Sequence, residues 1–151
     1  MEKKIVPYTG SVVEYYSDNN IKSMAYMKEG QYNGKVSKYY DSEKELGKKI
    51  KSVNHYLNGT LDGLQSYYYE NGSNKMVLNL VDGQYNGLNK IFATSAIPES
   101  TATFIKGKLI KATTKSQSGQ ITSYDESSKN FDAIIIESLF IANIIILEDT
   151  K

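Results

Sequence analysis

Four nearly evenly spaced glycines divide most of this chain into similar units. Gly30, Gly59, Gly83 and Gly107 lie 29, 24 and 24 residues apart. Each follows a strand-like run, and each begins a short string: GQYNG, GTLDG, GQYNG or GKLIK. A period in the low twenties is typical of arrays whose small units bury their apolar faces only by stacking on neighbours. The sequence therefore predicts a repeat protein.

Each unit contains two strand-like runs rich in Tyr and β-branched residues, which favour a pleated, half-buried surface. The first run follows the glycine string and carries aromatic pairs, as in KVSKYY from Lys35 and LQSYYY from Leu64. The second run ends at the next glycine, as in IKSVNHYL from Ile50. Asn71-Gly72 between two runs predicts a type I′ hairpin turn. We expect an all-β fold of tandem antiparallel β-hairpins that form an elongated single-sheet array.

Alignment of the units on their glycines predicts which side chains form the core. One column is aromatic in every copy, and a second column lies three places before each closing glycine. We predict that both are buried and that the column beside the first faces the opposite side, because successive strand residues alternate. The first core column is Tyr15, Tyr39, Tyr68 and Phe92, the second is Met27, Tyr56, Leu80 and Phe104, and the opposite column is Tyr16, Tyr40, Tyr69 and Ala93.

The tyrosines of the opposite column are the candidate binding residues. Exposed aromatic side chains spaced along a flat array are typical anchors for a partner. We therefore predict that Tyr16, Tyr40 and Tyr69 bind a protein partner. The alternative is a purely structural role, since Tyr also suits the half-wet surface of a thin sheet.

The chain changes character near its C-terminal end. The repeats predict an array over residues 1–124, with about four units and a partial fifth, and residues 125–151 form a polar linker and an apolar segment. That segment, Ala133 to Leu147, contains Glu137 and is too short and too polar at its centre to span a membrane. We expect it to cap the array and favour a helix over a strand. The alternative is exchange with a second copy that forms a homodimer.

Composition argues against several function classes. The 18 basic residues, all Lys, balance 17 acidic ones, so without Arg and without a basic cluster in the sequence we expect no nucleic-acid partner. The chain has no Cys and one His, His55, which leaves no thiolate nucleophile and no usual zinc site. Glu43 and Glu45 lie in a Lys-rich loop that is typical of a solvated turn. We therefore expect no cofactor, no metal and no enzymatic activity.

The N-terminus bears on localisation. The sequence MEKKIVPYTG carries only Ile5 and Val6 before Pro7, far short of the apolar region of a signal peptide. We expect a cytoplasmic protein if the chain is complete and an exported protein if a leader has been removed.

The repeated string resembles a known bacterial pattern. Glycine, any residue, Tyr or Leu, Asn or Asp, and glycine are followed about five residues later by a Tyr pair and then by Asn-Gly. The clearest copy is NGTLDGLQSYYYENG from Asn58 to Gly72. Over roughly Tyr8 to Ser123, the pattern resembles the variant MORN repeat, the membrane occupation and recognition nexus family. The resemblance implies a β-hairpin scaffold that binds a protein partner. Because some bacterial members, the YwqK-type proteins, are antitoxins or immunity partners of secreted toxins, it also implies that role.

A second function from another class stays open. Tandem Tyr and Gly repeats also stack on sugar rings in cell-wall-binding arrays, so the alternative is an envelope or surface module that binds lipid or glycan. Such arrays usually rely on Trp, and this chain has none.

Overall fold

The computed structural model describes residues 6–41, 48–92, 98–115 and 119–128. Within these ranges the chain forms one antiparallel sheet and a short 3-10 helix, Glu126–Ser128. The all-β, single-sheet hairpin array predicted from the repeats is confirmed. The strands are β1 Gly10–Tyr15, β2 Ile21–Lys28, β3 Gln31–Tyr32, β4 Gly34–Tyr39, β5 Ile50–Leu57, β6 Thr60–Leu61, β7 Gly63–Tyr68, β8 Asn74–Val81, β9 Gln84–Tyr85, β10 Gly87–Phe92, β11 Pro98–Ile105, β12 Lys108–Lys115 and β13 Ile121–Asp125.

The hairpins follow one another along the sheet in chain order. The long strands are arranged β1-β2-β4-β5-β7-β8-β10-β11-β12-β13, and the two-residue strands β3, β6 and β9 lie off this path, paired with β2, β5 and β8. Units that are neighbours in sequence are therefore neighbours in space, as expected for a linear repeat array.

The glycines that define the repeat lie in tight turns. Both central residues of each turn have positive φ, which is the type I′ geometry that matches the twist of the flanking strands. The turns are Glu29-Gly30, Asn58-Gly59, Asp82-Gly83 and Lys106-Gly107.

The turn at Asn71-Gly72 has a different geometry. The hairpin of β7 and β8 predicted around it is present, but only Gly72 of the pair has positive φ. The Asn71 side chain instead accepts a hydrogen bond from the Ser73 N–H, with Oδ1 and N 2.9 Å apart. This Asx turn fixes the backbone in another conformation, so the type I′ prediction is wrong at this position.

Backbone hydrogen bonds also join each turn to the preceding unit. The turn glycine donates its N–H to a carbonyl one repeat earlier, in the pairs Gly30–Tyr8, Gly59–Tyr32, Gly83–Leu61 and Gly107–Tyr85, at 2.7 to 2.9 Å. Side chains follow the same pattern. The Tyr32 ring packs 5.2 Å from the Tyr56 ring, and the Tyr85 ring packs 5.3 Å from the Phe104 ring. The glycine strings thus connect consecutive units through both backbone and side chains.

The apolar core lies on one face of the sheet, which we call the inner face. Directly paired residues share a face of an antiparallel sheet, and pairs such as Leu78 with Gln65, Met76 with Ile91 and Asn89 with Ala102 lie on this one. The opposite side is the outer face. The core cluster is Met76, Leu78, Leu80, Ile91, Ala102, Phe104, Leu109 and Ala112. The core is therefore concentrated in the C-terminal half of the array.

The second predicted core column is only half buried. Leu80 and Phe104 are 7% and 1% exposed, as predicted. Met27 and Tyr56, their counterparts in the first two units, are intermediate in burial. The prediction is confirmed where the core cluster lies and is wrong nearer the N-terminus.

The first predicted core column is wrong in three of its four members. Tyr15 is 59% exposed, Tyr39 and Tyr68 are half-buried, and Phe92 is buried. The pairing register shifts immediately before each of these residues. The extra residue of each β-bulge is on the partner strand, so alternation continues along the strand that carries the column. The Tyr39 hydroxyl donates to Met24 Sδ at 3.6 Å on the outer face, so the column points away from the core there.

Strand β13 ends at Asp125, next to the predicted end of the array at residue 124. The predicted cap and homodimer segment, Ala133 to Leu147, lies outside the described residues, as do Glu43, Glu45 and Ala93. Among the residues that are described, no helix has the length and apolar character needed to cross a membrane.

Candidate functional site

The predicted binding tyrosines form a ladder of hydrogen bonds between units. Each hydroxyl donates to a backbone carbonyl one unit further along the array. Tyr16 Oη lies 2.7 Å from the oxygen of Tyr39, Tyr40 Oη lies 2.7 Å from that of Tyr68, and Tyr69 Oη lies 3.0 Å from that of Phe92. We call Tyr16, Tyr40 and Tyr69 the tyrosine ladder.

A lysine lies over each ring of the tyrosine ladder. Lys22 Nζ is 6.0 Å from the centroid of Tyr16, Lys51 Nζ is 5.5 Å from that of Tyr40, and Lys75 Nζ is 5.6 Å from that of Tyr69. These distances are within the range of cation–π attraction. Each ladder position is thus a Tyr–Lys pair.

Burial and nearby charges shift the pKa of two ladder tyrosines and of Lys75. Burial raises the pKa of Tyr16, and the Asp41 and Asp18 carboxylates raise it further. Burial also raises the pKa of Tyr40, with added contributions from Glu70 and Tyr69. The pKa of the Lys75 ammonium is lowered by burial and then by the like charge of Lys51. Ionisation of the Tyr16 and Tyr40 hydroxyls is therefore disfavoured.

A groove of about 680 Å³ opens on the inner face of the N-terminal units. Strands β1, β2, β4, β5 and β7 contribute most of its lining, and Tyr32 and Leu61 of β3 and β6 contribute the rest together with Tyr16. Its aromatic members are Tyr16, Tyr32, Tyr39, Tyr56 and Tyr67. Of the three predicted binding residues, Tyr16 belongs to this lining, and Tyr40 and Tyr69 do not.

Tyr16 and Tyr39 present their side chains to opposite faces, as alternation predicts. Tyr16 lines the groove, whereas the Tyr39 hydroxyl donates to Met24 Sδ at 3.6 Å, and Tyr39 lines a second pocket on the outer face beside Met24. At the groove, the carbonyl oxygen of Tyr39 accepts the Tyr16 hydrogen bond.

The groove floor is polar where the core of the later units is apolar. Ser23, Ser52 and Asn54 are 8%, 3% and 5% exposed and line the groove. The Ser23 hydroxyl donates to Glu14 Oε2 at 2.9 Å, and Asn54 Nδ2 donates to the Tyr67 hydroxyl at 3.0 Å. This floor can therefore form hydrogen bonds with a ligand, and its side chains are held in place by their neighbours.

The charged lining is mostly basic. Lys22, Lys38 and Lys51 belong to it, and Glu14 is its acidic member. Lys22 and Lys38 are exposed and Lys51 is half-buried. An acidic ligand would be favoured in this groove over a basic one.

His55 takes part in cross-strand hydrogen bonding. Its Nδ1 lies 2.6 Å from the Leu64 carbonyl oxygen, and its backbone N–H donates to Gln65 Oε1 at 3.0 Å. The Gln65 side chain returns a bond to the His55 carbonyl at 3.1 Å and is fully buried. In the part of the chain that is described, no group of three or more His, Cys, Asp or Glu could hold a metal ion.

A comparison with protein-family models finds no matching family, and a search of curated proteins finds no match. The resemblance to the MORN repeat therefore stays a prediction from the repeat pattern.

Sequence reasoning missed the lysines and most of the aromatic residues of the groove. One signal was present, because Lys22, Lys51 and Lys75 occupy the same place after the hairpin turn in three aligned units. Lys38 and Tyr67 carry no such signal, since only the strand pairing brings them beside the other lining residues.

Proposed function

We propose that this chain is a non-enzymatic repeat scaffold that binds a protein partner in the inner-face groove of its N-terminal units. The observation that supports it is the contrast along the inner face. The later units pack Leu78, Leu80 and Phe104 into a closed core, whereas the earlier units present half-exposed tyrosines above a polar floor. Tyrosine rings with fixed polar neighbours are typical of protein-binding surfaces.

An antitoxin or immunity role is the most concrete form of this proposal. It is supported by the resemblance of the repeat to the MORN variant. The mechanism would be steric, because a partner segment held in the groove is covered by protein and removed from its own target. This mechanism needs no catalytic group on the scaffold.

The tyrosine ladder is a poor target for testing the proposal. Its hydroxyls donate to the carbonyls of Tyr39, Tyr68 and Phe92, so changing all three residues would weaken the contacts between units. Groove residues outside the ladder separate binding from folding. Tyr32 is 39% exposed and Tyr56 is half-buried, and both line the groove, so truncating them removes groove surface while sparing the core cluster.

The test compares the unmodified chain with the double variant Tyr32→Ala, Tyr56→Ala. Proteins captured from the source cells are identified by mass spectrometry, produced in pure form and titrated against both. We expect the groove variant to bind its partner at least about tenfold more weakly, equivalent to about 1.4 kcal/mol. The control is Leu64→Ala, Leu88→Ala, because those side chains lie on the outer face and are 44% and 45% exposed. Equal affinity of the groove variant would contradict the proposal, as would binding to glycan or liposomes without any protein partner.

A further inference from the structure

Three lysines form a row across the inner face. Lys22 lies on β2, Lys38 on β4 and Lys51 on β5, and these strands are consecutive in the sheet. Lys38 pairs with Ser23 on one side and Ser52 on the other, the residues that follow Lys22 and Lys51. Because neighbouring strands are about 4.8 Å apart, the row spans roughly 10 Å. We call these three residues the lysine row.

Two members of the lysine row owe their positions to β-bulges. Strand β1 pairs Glu14 with Ser23 and then Tyr15 with Ile21, so Lys22 is the extra residue. Strand β4 pairs Lys38 with Ser52 and then Tyr39 with Ile50, which makes Lys51 the extra residue of the next hairpin. Bulges re-aim side chains. Strict alternation would place only Ser23 and Ser52 on the inner face, and each bulge adds the lysine that precedes the serine.

The arrangement carries an electrostatic cost. Like charges on neighbouring strands are destabilising. In the described ranges the ion pairs are Lys49–Glu70 and Lys108–Glu126, and neither includes the lysine row. The acidic lining residue, Glu14, accepts a hydrogen bond from Ser23. The whole chain has a formal net charge of only +1, so the concentration of positive charge in the groove arises from the fold.

We propose that the lysine row receives an acidic segment of the protein partner. This inference rests on the proposed function and specifies the chemistry of the partner. Lysine ammoniums present compact charges with several donors and accept carboxylates in many orientations. A protein segment fits better than a membrane surface, because the lysines lie among tyrosine side chains in a groove that a narrow chain can enter and a flat bilayer cannot.

The spacing of the row suggests the conformation of the segment. A polyproline II chain has three residues per turn and rises about 3.1 Å per residue, so one face repeats every ~9.3 Å. This distance is close to the two strand spacings that separate β2 from β5. An acidic side chain at every third position of an extended segment would therefore meet Lys22 and Lys51 together.

The test uses a fluorescein-labelled peptide of repeated Glu-Pro-Ala triplets, with a Gln-Pro-Ala peptide as its uncharged control. Binding to the full chain is measured by fluorescence anisotropy at low and high salt. We expect the acidic peptide to bind, to bind less tightly as salt rises, and to lose at least about tenfold in affinity for the variant Lys22→Gln, Lys38→Gln, Lys51→Gln. The uncharged peptide should not bind.

The matched control is Lys28→Gln, Lys35→Gln, Lys111→Gln, which removes the same charge at exposed positions of the outer face. It should keep full affinity for the acidic peptide. In the lysine-row variant, relief of like-charge repulsion opposes the loss of the cation–π contacts with Tyr16 and Tyr40. We therefore expect its thermal midpoint to change little, and an unchanged midpoint would show that lost binding does not reflect unfolding.

Three results would overturn the inference: equal losses in both triple variants, binding of the Gln peptide, or groove-dependent binding only to vesicles of anionic phospholipid. The partner itself separates this inference from the proposed function. If the captured partner binds the lysine variant as tightly as the unmodified chain but fails to bind Tyr32→Ala, Tyr56→Ala, the acidic segment is wrong and the binding groove stands.

Discussion

At the residue scale, the tyrosine ladder makes stability depend on pH in the alkaline range. Burial and then nearby carboxylates raise the pKa of Tyr16 above its ordinary value of 10.0, and burial with Glu70 does the same for Tyr40. The folded chain thus holds these protons more tightly than the unfolded chain. The stabilisation is complete below the ordinary pKa and is lost as the pH rises through the folded-state values. We expect the free energy of unfolding to fall above pH 10, measured by denaturant titration at a series of pH values.

The variant Tyr16→Phe, Tyr40→Phe separates the ladder from the other tyrosines. It removes two hydroxyl hydrogen bonds, so at neutral pH it should be less stable than the unmodified chain by about 1–3 kcal/mol. Its stability should also decline less steeply above pH 10. Tyr15→Phe is the control, because that side chain is 59% exposed and should change neither quantity. An alkaline decline of the same size in the double variant would sink the explanation.

At the element scale, the four type I′ turns share a geometry but differ in how well their residues suit it. The first central residue has φ between 47° and 51° in all of them. Asn58 and Asp82 tolerate this left-handed conformation, whereas Glu29 and Lys106 lack the short polar side chain that eases it. We expect Lys106→Asn to raise the free energy of unfolding by about 0.5–1 kcal/mol.

The measurement is urea unfolding of Lys106→Asn beside Asp82→Asn. The second substitution replaces one suitable residue by another and should shift the midpoint much less. The backbone N–H at position 106, which donates to Asn86 Oδ1 at 3.1 Å, is retained in the variant. If Lys106→Asn gains no stability, backbone strain at this turn is not a significant cost.

The elements also mark the limit of what the sequence could predict. The even spacing of the glycines was enough to predict the hairpins, their antiparallel order and the single sheet, because each unit repeats the same turn and strand signals. The β-bulges were not predictable, since Tyr15 and Tyr16 are both tyrosines and a bulge is a property of two paired strands. Without the bulges the groove could not be predicted, because strict alternation would place Lys22 on the face opposite Ser23, whereas the bulge brings Lys22 to the groove beside Tyr16.

At the scale of the whole molecule, the inner face changes character along the array. Buried positions of the early units are mostly polar, such as Ser23, Ser52 and Asn54, while those of the later units are mostly apolar, such as Leu78 and Phe104. Burial of apolar area is the main stabilising contribution to folding. In a linear array each unit contacts its neighbours, so stability need not be uniform from end to end. We therefore expect the units that carry the groove to be the less stable part of the sheet.

Hydrogen exchange of the backbone amides tests this gradient. We expect protection to increase along the array, with the amides of β2 and β4 exchanging at least about tenfold faster than those of β8 and β10, because sub-global opening starts where little apolar surface is buried. The two strand pairs are matched, since each belongs to adjacent hairpins of the same sheet. Adding the partner should raise protection in β2, β4 and β5 first, because a ligand stabilises the folded form of the segment that it binds. Uniform protection in the unbound chain would contradict the gradient, and a partner-induced rise confined to β11 and β12 would place the binding site outside the groove.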